Sequence, residues 1–129
     1  MYLVDTSAWV AHFSRRDPFD LRTVCEPDDR VLCLPVYQEL LQGIREEGHY
    51  RRMAEILGAA RFVESPLGID VFREAANLYR TARRQGFTVR SSVDCLVAQC
   101  AIRSNLTLLH RDRDYPLLAR VSLLSERGV

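Results

Sequence analysis

Four short apolar runs, each followed by a stretch of helical period, constrain this chain more than any other feature. Residues 2–5 ("YLVD") read as a short buried strand, and residues 6–14 as the helix it feeds, with Thr6 or Ser7 able to cap it. An irregular stretch around "RRDPFD" (15–20) leads to a second strand at 31–34, closed by Pro35. "VYQELLQGIR" (36–45) then places apolar residues at 36, 37, 40, 41 and 44, a helical period that Gly48 breaks. "YRRMAEILGAA" (50–60) is a further helix and "RFVES" (61–65) a third strand, ended by Pro66. The clearest helix is "DVFREAANLYRTARRQG" (70–86), apolar at 71, 72, 75, 78, 79 and 82, with Gly86 where a C-terminal cap belongs. "SSVDCLVAQCAIRSN" (91–105) is a helix capped by Ser91 or Ser92, "LTLLH" (106–110) a fourth strand, "RDRDYPLLAR" (111–120) a loop and short helix, and "VSLL" (121–124) a fifth strand. Strands alternating with helices imply an α/β fold: a short-stranded parallel sheet covered on both faces, a three-layer α/β/α sandwich. In such sheets, sites form beyond the carboxyl ends of the strands.

The length of 129 residues suits one domain spanning 1–129. A hydrophobic fraction of 47% with 27% charged residues marks a globular chain rather than a disordered one. No apolar run approaches the roughly 20 residues that cross a bilayer. Asp5 comes too early for an apolar leader and no basic residue precedes it. These observations lead to the expectation of a cytoplasmic protein with no membrane partner. Cys25, Cys33, Cys95 and Cys100 form no CxxC pair, so they read as small core hydrophobes rather than zinc or redox ligands. The net charge of +1 points to no partner by itself, but all 18 basic residues are Arg. Arg suits bidentate phosphate contacts; the codon usage of a GC-rich genome would give the same bias.

The carboxylates are placed more pointedly than the bases. Asp5 ends the first strand. Glu39 lies on the helix after the second strand, off its apolar stripe, with the bare backbone of Gly43 one turn on. Asp94 is in the first turn of its helix, and Asp112 and Asp114 follow the fourth strand directly. Taken singly, each has a plainer role: a cap, a solvated helix residue, a complement to a helix dipole, a charged loop. In a parallel sheet, all of them converge on one edge. Carboxylates gathered there repel one another and raise some of their pKa values. A divalent cation resolves that conflict, and all-oxygen ligands favour Mg²⁺ or Mn²⁺. Such a cation activates water and stabilises charge on a phosphoryl group, which suggests phosphodiester hydrolysis.

Four segments, "YLVDTSAWV", "VYQELLQGIR", "TVRSSVDCLVAQCA" and "LLHRDRDY", in this order and spacing, resemble the PIN-domain ribonucleases, and most of all the VapC toxins of bacterial toxin–antitoxin pairs. The resemblance implies the PIN fold and a Mg²⁺- or Mn²⁺-dependent endoribonuclease acting on RNA. It implies a homodimer inhibited by a VapB-type antitoxin whose C-terminal segment enters the groove, with operator DNA bound only through that antitoxin. Carried over by position, the acidic set becomes Asp5, Glu39, Asp94 and Asp112. Asp5 and Asp94 would be the main metal ligands, and Asp112 would hold a second metal or orient the water. Asp114 stands close enough to take its place: His110 and Arg111 replace the Thr common in relatives, so the choice between Asp112 and Asp114 stays open. Thr6 and Ser7 would support the site or the substrate through their hydroxyls. Arg15, Arg90, Arg111 and Arg113 would hold phosphates. His12 and His49 read as surface residues, and His110, beside the acidic motif, as a candidate substrate contact. Unpaired loops of a structured RNA such as tRNA fit as the target.

Two rivals come from other classes. A haloacid-dehalogenase-type phosphatase also places an Asp after its first strand, but it needs a second Asp two residues on, where this chain has Ser7, and a Lys, of which there is none. A non-catalytic PIN scaffold acting with its antitoxin in a DNA-binding repressor complex would not need an intact acidic set.

Overall fold

A computed structural model of the chain describes residues 1–16 and 19–129. Five strands, β1 (Tyr2–Val4), β2 (Arg30–Leu32), β3 (Arg61–Phe62), β4 (Thr107–His110) and β5 (Glu126–Gly128), form one sheet in the order β3-β2-β1-β4-β5. Every pairing is parallel, with Leu3 opposite Val31 on one side and Leu108 on the other. Successive strand residues point to opposite faces of a sheet. Leu3 and Val4 are both fully buried, as are Leu108 and Leu109, so helices cover both faces. These are α1 (Thr6–Phe13), α2 (Leu34–Gln42), α3 (Glu47–Gly58), α4 (Ile69–Arg84), α5 (Ser92–Arg103) and α6 (Asp114–Ala119). The expected three-layer sandwich is the observed one. The four cysteines are buried thiols within its core. Among the described residues, no helix is long and apolar enough to cross a membrane.

The chain builds outward from β1 in both directions, through β2 and β3 on one side and β4 and β5 on the other. The order therefore reverses between β1 and β4. Loops leaving two such neighbouring strands diverge, and a crevice opens between them at their carboxyl ends. Asp5 leaves β1 at that crevice, and the 111–114 loop leaves β4 there.

Several boundaries differ from the sequence reading, each for a local reason. β2 stops at Leu32, and Pro35 does not close it: Pro35 sits buried in the first turn of α2, where a missing N–H costs nothing. α2 ends at Gln42 with Gly43 as its C-cap, so the break precedes Gly48. Gly48 lies inside α3, whose N-cap Glu46 accepts bonds from the N–H groups of Gly48 (2.7 Å) and His49 (2.6 Å). The fifth strand is not 121–124 but Glu126–Gly128. It is an edge strand held by backbone bonds to β4, so it needs no apolar run, while Leu123 is 90% exposed. On α4, Val71, Ala75, Leu78 and Ala82 are buried as expected, but Phe72 faces out. Gly86 takes the positive φ of +86° that ends this helix, a conformation that favours glycine. Of the irregular stretch 15–20, Asp17 and Pro18 lie outside the described residues.

Candidate active site

Asp5 both caps a helix and lines the crevice. It is the N-cap of α1, and its Oδ2 accepts from Ser7 N–H (3.0 Å) and Ser7 Oγ (2.5 Å), so neither Thr6 nor Ser7 is the cap. Its own N–H donates to Leu109 O of β4 (2.9 Å), which locks the carboxylate to the neighbouring strand. Its Oδ1 accepts from the hydroxyl of Tyr115 at 2.7 Å. The side chain is buried, with three donors turned toward it.

α2 brings Glu39 alongside. Thr6 Oγ1 donates to Glu39 Oε1 at 3.0 Å, bridging α1 and α2. Burial raises the Glu39 pKa, the Thr6 bond offsets part of that, and the charge on Asp5 adds to the rise. Asp94, in the first turn of α5, is pushed up to about 7. Burial is the largest cause, followed by the charges of Asp112, Asp5, Asp114 and Glu39. The other four acidic residues therefore all act on Asp94. Asp94, Asp112 and Asp114 each offer an oxygen within 4.8 Å of the others.

Arg90 ties down the far side of this group. Its N–H and Nε donate to Asp114 Oδ2 (3.1 and 3.2 Å), and its Nη2 donates to Asp112 Oδ1 (2.9 Å). Asp112 Oδ1 also accepts the N–H of Asp114 (2.9 Å). The arginine expected to meet substrate thus spends its fork on the acids. Arg111 donates its N–H to Ser7 Oγ (2.9 Å) and its Nε to Val129 O (2.9 Å), and its guanidinium lies over Phe19. Arg113, at the start of α6, and Arg15, after α1, are exposed.

His110 is 2% exposed, which removes it as a substrate contact. Its Nδ1 accepts the N–H of Asp112 (3.1 Å), which leaves the proton on Nε2 for Glu126 Oε2 at 2.6 Å. Its ring packs on Tyr115, with centroids 4.9 Å apart. His12 is also more than a surface residue: its Nδ1 accepts the N–H of Leu21 (3.1 Å), pinning the loop after α1, while His49 is exposed. Tyr115 and Glu126 are the residues that sequence reasoning missed. Tyr115 stands directly after Asp114, and its polar tip within an apolar helix was the available signal. Glu126 lay beyond the expected last strand and gave none.

A groove opens beside the acids. Val10, Phe13, Leu40, Ile44, Met53 and Leu57 line a cavity of about 460 Å³ between α1, α2 and α3, with Glu39 on its wall. Val10 and Phe13 are more than half exposed, at 58% and 57%.

What the fold defines here is a cluster of carboxylates at the switch point of a parallel sheet. The comparisons are narrower. The PIN domain model matches residues 2–122. The chain is 36% identical to VapC ribonuclease Mb1587 of Mycobacterium bovis and to ribonuclease VapC11 of Mycobacterium tuberculosis, over 96% of either chain in both cases. The chain belongs to the PIN-domain family, in its VapC branch. Two solved structures share the fold at a TM-score of 0.71: VapBC-1 from nontypeable Haemophilus influenzae, at 19% identity over 98% of this chain and 96% of that one, and VapBC2 from Rickettsia felis bound to a promoter DNA fragment, at 16% over 99% and 98%.

Proposed function

We propose that this chain is the toxin of a VapBC-type toxin–antitoxin pair, an endoribonuclease that hydrolyses RNA phosphodiester bonds with Mg²⁺ or Mn²⁺. The observation that carries the reading is the convergence of Asp5, Glu39, Asp94, Asp112 and Asp114 on one crevice, with Asp94 pushed up to about 7 by burial first and then by the charges of the other four. The donor set fits a hard cation: every candidate ligand is a carboxylate oxygen. Asp5, Asp94, Asp112 and Asp114 would hold the ion. When bound, it supplies Lewis acidity toward a water and toward the phosphoryl oxygens. Glu39, its charge disfavoured by burial, would take a proton from the attacking water. Ser7 and Tyr115 orient Asp5, and Thr6 orients Glu39. Arg113, exposed between Asp112 and Asp114, and Arg15, exposed after α1, would hold substrate phosphates. Attack by water leaves a 5′-phosphate and a 3′-hydroxyl; a 2′,3′-cyclic phosphate would contradict it. Structured RNA such as tRNA is the substrate class proposed.

The groove of Val10, Phe13, Leu40 and Ile44 fits an antitoxin segment that lays apolar side chains beside the acids and closes the crevice. Operator DNA would be reached through that antitoxin. The solved relatives named as VapBC pairs, one of them with promoter DNA, support this reading. Ile69 and Phe72, 75% and 51% exposed on α4, give apolar surface for a second copy in a cytoplasmic homodimer. The test is toxicity on expression. Asp5→Ala is expected to abolish toxicity while antitoxin binding persists. Unchanged toxicity would contradict the nuclease and favour a non-catalytic scaffold.

A further inference from the structure

Among the described residues, the cluster divides electrostatically into two halves. Asp112 and Asp114 share one cation, the guanidinium of Arg90. Asp5, Glu39 and Asp94 have no ion pair among the described residues. Their partners are hydroxyls and one backbone N–H: Ser7 and Tyr115 on Asp5, Thr6 on Glu39, and Tyr115 at 3.5 Å from Asp94. The Arg90 contact is built in rather than incidental. Its backbone N–H and Nε meet the same oxygen of Asp114, a side chain 2% exposed, and its Nη2 reaches Asp112 Oδ1, which also caps Asp114 N–H. Asp112 Oδ1 and Asp114 Oδ2 are thereby taken. Among the described residues, Asp112 Oδ2 and Asp114 Oδ1 accept no hydrogen bond, and Asp94, Asp112 and Asp114 each offer an oxygen within 4.8 Å of the others.

We propose that Arg90 is a positioning residue that serves as the fixed second cation of the centre: it holds Asp112 and Asp114 with one open oxygen each and limits the site to a single divalent ion. This rests on the metal-centre reading above and goes beyond it, since the carboxylate count alone would admit two ions. The physical reason is charge. A second divalent ion at the Asp112–Asp114 end would have to displace, or sit against, a guanidinium that is hydrogen-bonded to both carboxylates.

The experiment is a Mn²⁺ titration of the antitoxin-free protein followed by electron paramagnetic resonance, read as ions per chain. Wild type is expected to bind one uncoupled Mn²⁺. Arg90→Gln is expected to bind two, with the exchange-coupled signal of a Mn²⁺ pair. Arg90→Lys, which keeps the charge but not the fork, should keep one ion at several-fold weaker affinity. Two coupled ions in the wild type would overturn the proposal, as would one ion at unchanged affinity in Arg90→Gln. The wild-type count decides alone if that variant does not fold. Asp94→Asn separates the two levels of inference: it should lose the ion, and keeping it at wild-type affinity would overturn the metal-centre reading itself.

Discussion

A carboxylate at the end of a buried strand has two uses, and Asp5 serves both. One oxygen starts α1 and the other faces Tyr115, so the residue that begins the helix is aimed by it. Tyr115→Phe removes that hydroxyl and leaves the ring on His110. It is expected to cost about 1–3 kcal/mol of stability, the range for a buried acceptor losing its donor. It should weaken Mn²⁺ binding by roughly tenfold, as loss of a ligand's orienting partner does. Thermal melts and the same titration check both. Asp94 carries the clearest pH signature. Its folded pKa of about 7 lies above the ordinary 3.8, so the folded state holds this proton more tightly than the unfolded chain does. In EDTA, Asp94 should therefore cost stability progressively from about pH 4 to pH 7 and by a constant amount above that. Melting of Asp94→Asn beside wild type should show equal midpoints near pH 4 and a gap favouring the variant that widens to pH 7. A gap that stayed level across that range would contradict the assignment.

At the scale of elements, the sequence showed which segments are strands and which are helices, because buried parallel strands and amphipathic helices differ in period. It showed their ends less well. Pro35 reads as a stop, yet helix first turns accept proline, so the same residue opens α2. β5 was misplaced because an edge strand that pairs through its backbone carries no apolar pattern, while "VSLL" has the pattern and lacks the partner. That misplacement hid Glu126, and with it the support beneath Asp112: Glu126 holds His110, and His110 holds the Asp112 N–H. The acidic residues themselves were legible because each follows a strand or opens a helix. The bonds that aim them were not, since Tyr115, Arg90 and Glu126 act across 16 to 110 positions of sequence. Glu126→Ala should leave His110 Nε2–H buried without its acceptor, at about 1–3 kcal/mol, and loosen the 111–114 loop. Denaturant unfolding and faster hydrogen exchange at Asp112 would show both effects.

The whole molecule is a parallel sheet whose strand order reverses between β1 and β4, and the chemistry gathers where that reversal opens the surface. Helices α1, α2, α5 and α6 each bring one or two residues to the crevice, so the centre depends on the complete fold and on no single loop. Beside it lies the apolar groove between α1, α2 and α3, with Glu39 on its wall. The central claim is that this crevice cleaves RNA by a cation-dependent reaction carried by its carboxylates. The most direct measurement is incubation of purified, antitoxin-free protein with total bacterial RNA in Mg²⁺, in Mn²⁺ and in EDTA, beside Asp94→Asn, with the ends of the products mapped. The account predicts discrete fragments with 5′-phosphate ends that require the cation and vanish in the variant. Fragments that persist in EDTA or in Asp94→Asn, or that end in cyclic phosphates, would contradict it.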